Sequence, residues 1–410
     1  MDTKDLIKII YHNVRNTYKY LMHPAKKRRN PKINIIFLVV RTNVWNSVKS
    51  IYDAAKRNDK INTYVVALQS YHNGEIDSED SSVYEFCKTI DSNTIKAYNP
   101  ETKTYYDLEE LKPDYIFLNV PYDEEYPEPY KSERLSRIAK LCYASYGYTI
   151  KKSKLQKITV RPSIMRYVSF IFACNNIMYG YYRKRMILTE LVSGKRLYNI
   201  GFPRFDIYKN LAYKESEYKT IMWLPRWTTE SQVAQGNEPS SFFKLKDKIL
   251  DYIDNNPKCE LIVRPHPKAF ENYIKNNMMT ETEVTAYKER IEAADNVSYD
   301  TNPSYYENLI KSDILIADFT SILAEYFVTG RPIIYFGNGD NYPPEHRGMY
   351  ESFYHVDSWE MAKGILNDLI NGIDYKKEQR EQAVSDFMKD KPHNVGEHII
   401  NILVNKYKKE

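Results

Sequence analysis

Residues 261–267 (LIVRPHP) place an arginine and a histidine at the end of an apolar run. Arg264 and His266 are each followed by proline, which fixes its own φ and restricts the backbone of the preceding residue. Both side chains are therefore expected on stiff, extended backbone. That rigidity suits a preorganised electrostatic or proton-transfer site. A solvated loop with two polar residues is the ordinary alternative.

Residues 312–336 (SDILIADFTSILAEYFVTGRPIIYF) predict a strand, a polar turn, a helix and a second strand. Thr320 and Ser321 stand where the helix begins, so they can cap it. Their hydroxyls can equally bind a phosphate at the positive end of the helix dipole. Asp318 ends the first strand, and Glu325 is placed to meet a polyol or ribose hydroxyl, or to face solvent. The segment predicts either a cap or a diphosphate site.

Two further strand ends in the same half of the chain carry polar groups. Arg347 follows the second strand of that segment, and arginine is well suited to binding a diphosphate. The stretch WLPRWT places an arginine between aromatic residues that could stack on a nucleobase: Trp223, Arg226 and Trp227. Four such elements at strand ends predict a nucleotide-diphosphate site.

Short apolar runs alternate with helical stretches along the whole chain. The runs at 33–40 and 63–68 enclose a helical pattern, which predicts a βαβ unit and a parallel sheet. A second set of runs, beginning near residue 220, repeats the alternation. The predicted fold class is therefore α/β, with two parallel-sheet domains facing a central cleft. Ligands bind such sheets outside the carboxyl ends of the strands.

Composition divides the chain into four predicted segments. Residues 1–32 form a basic segment, residues 33–205 and 206–395 form the two domains, and residues 396–410 form a helix that could cross back to the first domain. The basic segment is typical of a solvated linker, of a contact with an anionic membrane or of a nucleic-acid arm. Because no nucleic-acid module accompanies it, we expect no nucleic-acid partner.

The sequence also excludes several classes of protein. It contains no GxGxxG after a strand and no GxxxxGK[ST], so dinucleotide oxidoreductases and P-loop nucleotidases are excluded. The four cysteines lack zinc-ligand spacing and favour a reducing cytosol. The sequence contains no run of about 18 apolar residues, so it predicts no membrane-spanning helix. We therefore expect a cytoplasmic protein, with or without peripheral membrane contact, that uses no metal and no cofactor.

With RPHP, the DFTSILAEYFVTGRPIIYF segment, RGMY and WLPRWT in place, the chain resembles the CDP-glycerol glycerophosphotransferase family of teichoic-acid synthesis. The resemblance covers about 198–365 well and the preceding residues poorly. It implies a GT-B architecture of two Rossmann-like domains, with a CDP-alcohol donor bound by the C-terminal domain and the acceptor on the N-terminal domain. It further implies transfer of a polyol phosphate and release of CMP, without metal.

The resemblance also implies roles for individual residues. His266 matches the histidine of the family's RPHP motif near the diphosphate, and Thr320 and Ser321 match its hydroxyl pair. Glu325 stands where an acidic residue usually follows, and Arg347 matches a phosphate-facing arginine.

The N-terminal half departs from the family at one position. Where the family carries a Trp-His-Gly motif whose histidine resembles a general base, this chain reads YASYGY, with Tyr146 in place of the histidine. A phenol with a pKa of about 10 is a poor base at neutral pH. Asp123, which follows the run at 114–120, is the alternative candidate for the catalytic base.

Three functions therefore remain open from the sequence. The first is a transferase that moves glycerol phosphate, or a related polyol phosphate, from a CDP-alcohol to a cell-surface glycan or lipid-linked acceptor. The second is a nucleotide-sugar glycosyltransferase of capsule or lipooligosaccharide synthesis. The third is a nucleotide-binding scaffold in a polymer-assembly complex.

Overall fold

A computed structural model describes most of the 410-residue chain. The described residues are 3–25, 30–69, 71–72, 75–76, 81–150, 163–193, 196–208, 218–234, 239–302, 304–337, 342–389, 391 and 394–409. The chain divides into two compact units. Unit 1 comprises Met1–Ile207 and Lys391–Glu410, and unit 2 comprises Tyr208–Asp390.

Unit 1 is built on a seven-stranded parallel sheet with strand order β11-β10-β9-β8-β1-β2-β5. Its strands are β1 (Ile33–Val39), β2 (Ile61–Ala67), β5 (Ile95–Lys96), β8 (Tyr115–Leu118), β9 (Lys140–Ala144), β10 (Val168–Ala173) and β11 (Leu197–Asn199). Two short antiparallel pairs join β3 (Tyr71–His72) to β4 (Glu75–Ile76) and β6 (Tyr98–Asn99) to β7 (Thr104–Tyr105). Every residue of β1 is buried, as expected for a central strand of a parallel sheet with both faces covered.

Six α-helices accompany this sheet in the described residues up to Tyr208, the first residue of unit 2, where the last of them ends. They are α1 (Thr3–Met22), α2 (Asn46–Lys56), α3 (Ser82–Ile90), α4 (Ser132–Leu135), α5 (Asn176–Ser193) and α6 (Phe205–Tyr208). Among the helices of the described ranges, none combines the length and hydropathy that crossing a membrane requires.

Unit 2 is built on a six-stranded parallel sheet with strand order β14-β13-β12-β15-β16-β17. Its strands are β12 (Lys219–Leu224), β13 (Cys259–Val263), β14 (Val297–Tyr299), β15 (Ile314–Asp318), β16 (Ile333–Phe336) and β17 (Tyr354–His355). Its helices are α7 (Glu230–Ala234), α8 (Phe242–Asp254), α9 (Ala269–Lys275), α10 (Glu281–Glu292), α11 (Tyr306–Lys311), α12 (Ile322–Phe327), α13 (Arg347–Glu351), α14 (Trp359–Ile370) and α15 (Lys377–Lys389). The core of the unit lies between the sheet and helices such as α8 and α14.

The last helix, α16 (Val395–Lys409), belongs to unit 1 and packs on α2. The carboxylate of Asp206 accepts hydrogen bonds from the first N–H groups of α16, those of Val395 and Gly396, at 2.9 Å each. A Cβ on Gly396 would lie 2.3 Å from the backbone oxygen of Ser50 in α2. Glycine at this position therefore permits the close approach of the two helices.

The two parallel sheets confirm the predicted α/β class. The sequence prediction omitted β10, β11 and the two long helices α1 and α5. Most of the stretch predicted as a basic segment is helical, over Thr3–Met22. Its four consecutive basic residues at 26–29, and residues 209–217 of the predicted domain boundary, lie outside the described residues.

Candidate functional site

Loops that follow three neighbouring strands of unit 2 hydrogen-bond to one another at the carboxyl edge of the sheet. The N–H of Arg264, after β13, donates to the carbonyl oxygen of Trp223 in β12 at 2.9 Å. The carboxylate of Asp318, at the end of β15, accepts a hydrogen bond from the N–H of Arg226 at 2.6 Å. The RPHP segment is therefore fixed to the end of β12, and the DFTS turn is fixed to the loop that follows β12. This edge brings together most of the residues predicted for the donor.

His266 is held by two backbone contacts. Its N–H donates to the carbonyl oxygen of Pro225 at 3.3 Å, and its Nδ1 accepts from the N–H of Lys268 at 3.2 Å. The second contact places the ring proton on Nε2. His266 keeps contact with solvent. Protein atoms around its ring nevertheless displace part of the surrounding water and, with the charges of Arg226 and Lys268, lower the pKa of His266 to about 4. His266 is therefore a neutral imidazole at pH 7.

Arg264 is committed to contacts inside unit 2. Its Nη1 lies 2.7 Å from Oδ2 of Asp300, whose side chain is 1% exposed. Its Nη2 donates to the carbonyl oxygen of Asn302 at 2.8 Å, and the guanidinium lies over the ring of Tyr305 at 5.7 Å. Arg264 thus neutralises a buried carboxylate and holds the loop after β14. These contacts favour a positioning role over direct contact with a diphosphate.

The side chain of Glu325 is also buried and hydrogen-bonded within unit 2. The residue is 1% exposed, and its two carboxylate oxygens accept hydrogen bonds from the hydroxyls of Tyr208 and Tyr305 at 2.8 Å each. Because Tyr305 also packs under Arg264, one tyrosine links the RPHP loop to α12. The buried position favours orientation of α12 over contact with a polyol or ribose hydroxyl.

Hydrogen bonds of Asp318 and Arg226 hold the DFTS turn in place. The carboxylate of Asp318 accepts a hydrogen bond from the N–H of Ser241, just before α8, at 2.9 Å. Burial raises the pKa of Asp318 to about 6, while the N–H donors of Arg226 and Ser241 oppose that rise. The guanidinium of Arg226 donates to the carbonyl oxygen of Phe319 at 2.7 Å. This pair therefore sets the geometry of the residues that follow.

The sequence left two roles open for Thr320 and Ser321, capping α12 and binding a phosphate, and the two hydroxyls differ in the role that they fit. The hydroxyl oxygen of Thr320 accepts from the N–H of Ile322 at 3.4 Å, so Thr320 contributes a weak cap to α12. Ser321 is exposed, and its hydroxyl makes no capping hydrogen bond. The helix does not use the Ser321 hydroxyl, which leaves that group for a ligand.

The remaining donor candidates differ in exposure. Arg347 is the exposed first residue of α13 and forms no ion pair within the described part of the chain. Trp227 is half-buried, with its ring 5.9 Å from that of His266. Trp223 is fully buried and stacks on Phe242 at 5.9 Å. The position of Trp223 in the core favours packing over base stacking.

The two residues predicted for the acceptor side lie in unit 1, where Asp123 begins the 3-10 helix Asp123–Glu125 and Tyr146 lies in the loop after β9. The carboxylate of Asp123 accepts from the N–H of Ser132 at 2.9 Å and from its hydroxyl at 2.7 Å. The hydroxyl of Tyr146 lies 3.0 Å from that of Tyr122. Burial, followed by the phenol of Tyr122, raises the pKa of Tyr146. The phenol of Tyr146 is thus a poorer base than that of an ordinary tyrosine, whose pKa the sequence analysis assumed.

Asp123 also lines a polar cavity in unit 1 of about 680 Å³. The cavity wall carries basic residues, acidic residues and one phenol: Lys131, Arg134, Arg137, Arg166, Glu124, Glu128, Glu133 and Tyr167. Several of these charges are paired, for example Lys131 with Glu128 at 3.2 Å. The cavity can therefore accept a polar, hydroxyl-rich molecule.

Sequence reasoning missed three residues of the donor edge. Asp300 follows β14 at the same edge as Arg264, so the strand-end rule applied to the other loops would have found it. Tyr208 and Tyr305 carry no comparable signal, because they are two of 38 tyrosines.

In the parts of the chain that the structure describes, no group of three or more His, Cys, Asp or Glu side chains is arranged to hold a metal ion.

Comparison with known proteins identifies the family. A family model described as CDP-Glycerol:Poly(glycerophosphate) glycerophosphotransferase matches residues 174–404, more than half of the chain. A teichoic acid poly(glycerol phosphate) polymerase of Staphylococcus epidermidis is 20% identical over 392 residues, which cover 83% of this chain and 50% of the relative. The chain thus spans about half the length of that curated relative.

Solved structures share the fold. A variant of the wall teichoic acid polymerase TagF soaked with CDPG aligns with a TM-score of 0.56 and 13% identity, over 100% of this chain and 99% of that one. The UDP-GlcNAc 2-epimerase of Neisseria meningitidis bound to UDP-GlcNAc aligns with a TM-score of 0.54 and 10% identity, over 91% and 100%. The predicted GT-B-like class is confirmed. At these identities the likeness shows the fold alone.

Proposed function

Because the chain belongs to the CDP-glycerol:poly(glycerophosphate) glycerophosphotransferase family, we propose that it transfers glycerol phosphate, or a related polyol phosphate, from a CDP-alcohol to a hydroxyl of a cell-surface glycan or lipid-linked precursor. The acceptor oxygen forms a bond to the β-phosphorus, the bond from that phosphorus to the bridging oxygen breaks, and CMP leaves. The acceptor proton passes to a base of the protein. No metal or cofactor takes part in the proposed reaction.

The observation that carries this proposal is the carboxyl edge of unit 2. There the family's RPHP and DFTS segments are both hydrogen-bonded to the loop after β12. Of the predicted donor residues, His266, Ser321 and Arg347 are exposed. We assign the diphosphate to these three residues, and we assign a contact with the nucleoside to Trp227 beside the His266 ring. That edge is held in place by four residues that make contacts inside unit 2: Arg264, Glu325, Asp318 and Trp223.

His266 supplies the electrostatic change that the reaction needs. The free protein holds His266 neutral, with its proton on Nε2, so it can donate a hydrogen bond to a phosphate oxygen. Negative charge on a bound diphosphate favours the imidazolium and raises the pKa of His266. The positive charge then stabilises the phosphate of departing CMP.

For the acceptor side we propose Asp123 as the base and Tyr146 as a hydrogen-bond donor. The raised pKa of Tyr146 keeps its phenol protonated at neutral pH. Asp123 lines a polar cavity of about 680 Å³, large enough for a polyol-phosphate unit. The hydrogen bonds from the N–H and hydroxyl of Ser132 hold the Asp123 carboxylate in a fixed orientation.

The proposed location is the cytoplasmic face of the cell membrane, where a lipid-linked acceptor would be presented. A net charge of +5 over the whole chain agrees with an anionic membrane surface as a partner.

A donor panel tests the proposed function. Purified protein is incubated with CDP-glycerol, CDP-ribitol, UDP-GlcNAc or CMP-sialic acid, each with teichoic-acid precursors as acceptors. We expect CMP release only with a CDP-alcohol. Turnover of UDP-GlcNAc or CMP-sialic acid would instead favour a glycosyltransferase, and CDP-alcohol binding without turnover would favour a scaffold. Thermal shifts report binding independently, because a ligand that binds the folded state stabilises it.

A further inference from the structure

The sheet of unit 1 reverses its strand order at β1. From β1 the sheet continues to β2 and β5 on one side and to β8, β9, β10 and β11 on the other. The sheet of unit 2 reverses at β12 in the same way, with β13 and β14 on one side and β15, β16 and β17 on the other. In sheets of this kind ligands bind outside the carboxyl ends of the strands at the reversal. The donor edge of unit 2 includes that point, and the loops after β1 and β8 are the corresponding place in unit 1.

The loop after β1 places Arg41 at the reversal. The side-chain amide of Asn119, directly after β8, donates to the carbonyl oxygen of Arg41 at 2.9 Å, and its oxygen accepts from the N–H of Val40 at 3.1 Å. Asn119 is 2% exposed, so both contacts are shielded from water. The backbone of Arg41 is therefore fixed between two neighbouring strand ends.

The guanidinium of Arg41 uses few of its donors inside the protein. Its Nη2 lies 2.5 Å from Oε1 of Glu125, in the 3-10 helix that follows β8. Within the described ranges the guanidinium forms no other hydrogen bond, although an arginine fork carries several N–H donors. The side chain of Arg41 is 47% exposed and that of Glu125 is 17% exposed. Glu125 therefore holds the fork in place, and the remaining donors are open to a ligand.

Two phenols lie beside this ion pair. The hydroxyls of Tyr122, after β8, and Tyr146, after β9, are 3.0 Å apart, and both residues are only partly buried. Burial raises the pKa of Tyr146, and the charges of Arg41 and Glu125 act on it as well, which indicates that the phenols and the ion pair are close. One hydroxyl donates to the other, so the accepting hydroxyl keeps its own proton for a third partner.

The open donors of this edge fit a phosphate. Two carboxylates nearby already accept hydrogen bonds, that of Glu125 from Arg41 and that of Asp123 from Ser132. The donors that remain therefore need acceptor oxygens from a ligand. A guanidinium fork binds two oxygens of a phosphate by parallel hydrogen bonds, whereas a single hydroxyl would leave most of the fork unpaired.

We propose that Arg41, Tyr122 and Tyr146 form a phosphate-binding site in unit 1, which holds a phosphate ester of the acceptor. The inference rests on the proposed function and deepens it, because the reacting hydroxyl then belongs to a unit that already carries a phosphate. The site fixes that phosphate and so positions the hydroxyl attached to the same unit. Acceptors without the phosphate lose this contact, so Arg41 selects among acceptors.

Calorimetric binding of glycerol 3-phosphate to the full chain tests the site without turnover. Glycerol is the matched ligand that lacks the phosphate. Arg41→Met removes the fork, and Arg41→Lys keeps a charge beside Glu125 without the planar pair of donors. Arg57→Met is the control for an ion-paired arginine of unit 1, since its side chain is 64% exposed. Arg347→Met separates this site from the donor edge of unit 2.

We expect the parent to bind glycerol 3-phosphate and not to bind glycerol at the same concentration. Arg41→Met should weaken the binding of glycerol 3-phosphate about 30-fold and Arg41→Lys about fivefold, because charge-assisted hydrogen bonds are lost or reduced. Tyr122→Phe should weaken it about fivefold. Arg57→Met and Arg347→Met should stay within about threefold of the parent. Circular dichroism confirms that the variants are folded.

The absence of binding by the parent would overturn the proposal, as would equal binding of glycerol 3-phosphate by Arg41→Met and the parent. Equal binding of glycerol and glycerol 3-phosphate would overturn it too. Loss of binding in Arg347→Met but not in Arg41→Met would assign the phosphate to unit 2 and would also refute the site.

Turnover gives a second measurement. With a CDP-alcohol as donor, the parent should prefer an acceptor that carries a terminal glycerol phosphate over the same acceptor with phosphate-free glycerol, and Arg41→Met should lose that preference through a higher KM for the acceptor. CMP release that ignores both the acceptor phosphate and Arg41 would contradict the inference and leave the proposed function intact. Binding of glycerol 3-phosphate that depends on Arg41, without CMP release from any acceptor, would count against the proposed function alone.

Discussion

Replacing Arg264 by methionine should damage the stability of the protein more than its contact with the donor. The side chain of Asp300 is 1% exposed and that of Arg264 is 14% exposed, so the substitution leaves a carboxylate buried without its cation. Breaking a buried ion pair in this way costs about 3–5 kcal/mol. Because Arg264 retains some exposure to solvent, we expect the lower end, about 3 kcal/mol.

For a unit of this size, about 3 kcal/mol corresponds to a fall in Tm of roughly 6–12 °C. Differential scanning fluorimetry of the Arg264→Met variant measures it. The double variant Arg264→Met/Asp300→Asn should recover part of the loss, since the buried charge is then absent. Lys275→Met, which removes an exposed cation from the end of α9, is the control and should change stability by no more than about 0.5 kcal/mol.

The opposite pattern would refute this reasoning. If Arg264→Met kept its Tm within about 2 °C of the parent while losing affinity for the CDP-alcohol, Arg264 would be a direct ligand of the diphosphate.

Three further predictions concern the donor edge and the C-terminal helix. His266→Ala should lower turnover about 100-fold. The pKa of His266 is about 4 in the free protein and rises when the donor binds, so donor affinity should increase as the pH falls from 7 towards 5. Calorimetry in two buffers with different ionisation enthalpies should show proton uptake on donor binding that the variant lacks. Equal proton uptake by the parent and the variant would contradict this role of His266. Ser321→Ala should weaken donor binding about tenfold with unchanged Tm, whereas Thr320→Ala should cost up to about 1 kcal/mol of stability; a loss of Tm without a loss of affinity in Ser321→Ala would identify a helix cap. Gly396→Ala should lower the free energy of unfolding by about 1–3 kcal/mol, because its Cβ would lie 2.3 Å from the Ser50 oxygen. Gly364→Ala in α14, where the space is open, should raise the free energy of unfolding by about 0.5–1 kcal/mol. Equal Tm values for the two variants would show that α2 and α16 do not approach closely.

The sheets were predictable because their strands are short apolar runs separated by helical patterns. The run at 33–40 corresponds closely to β1, and the apolar start of the segment at 261–267 overlaps the second half of β13. The strand-end rule also located the loops that meet at the edge of unit 2. In contrast, β10 passes almost directly into α5, without the glycine or proline that usually marks the end of a strand.

The roles of individual side chains were less predictable. Trp223 and Trp227 are separated by three residues in one motif, yet one lies in the core and the other beside His266. Alternation along a strand cannot separate them, because the second residue lies beyond the end of β12. Most large apolar side chains of α1 are exposed, and the sequence could not have shown this, since periodicity indicates that a helix is amphipathic but not which side packs on the protein.

The central claim is a transfer of polyol phosphate from a CDP-alcohol, and ³¹P NMR of the reaction measures that transfer most directly. Purified protein is mixed with CDP-glycerol and a teichoic-acid precursor, and the donor diphosphate signal is followed. We predict that it is replaced by equal amounts of CMP and a new phosphodiester on the acceptor, and that His266→Ala slows both together. A diphosphate signal that persists, or CMP that appears with free glycerol phosphate and no phosphodiester, would contradict the claim.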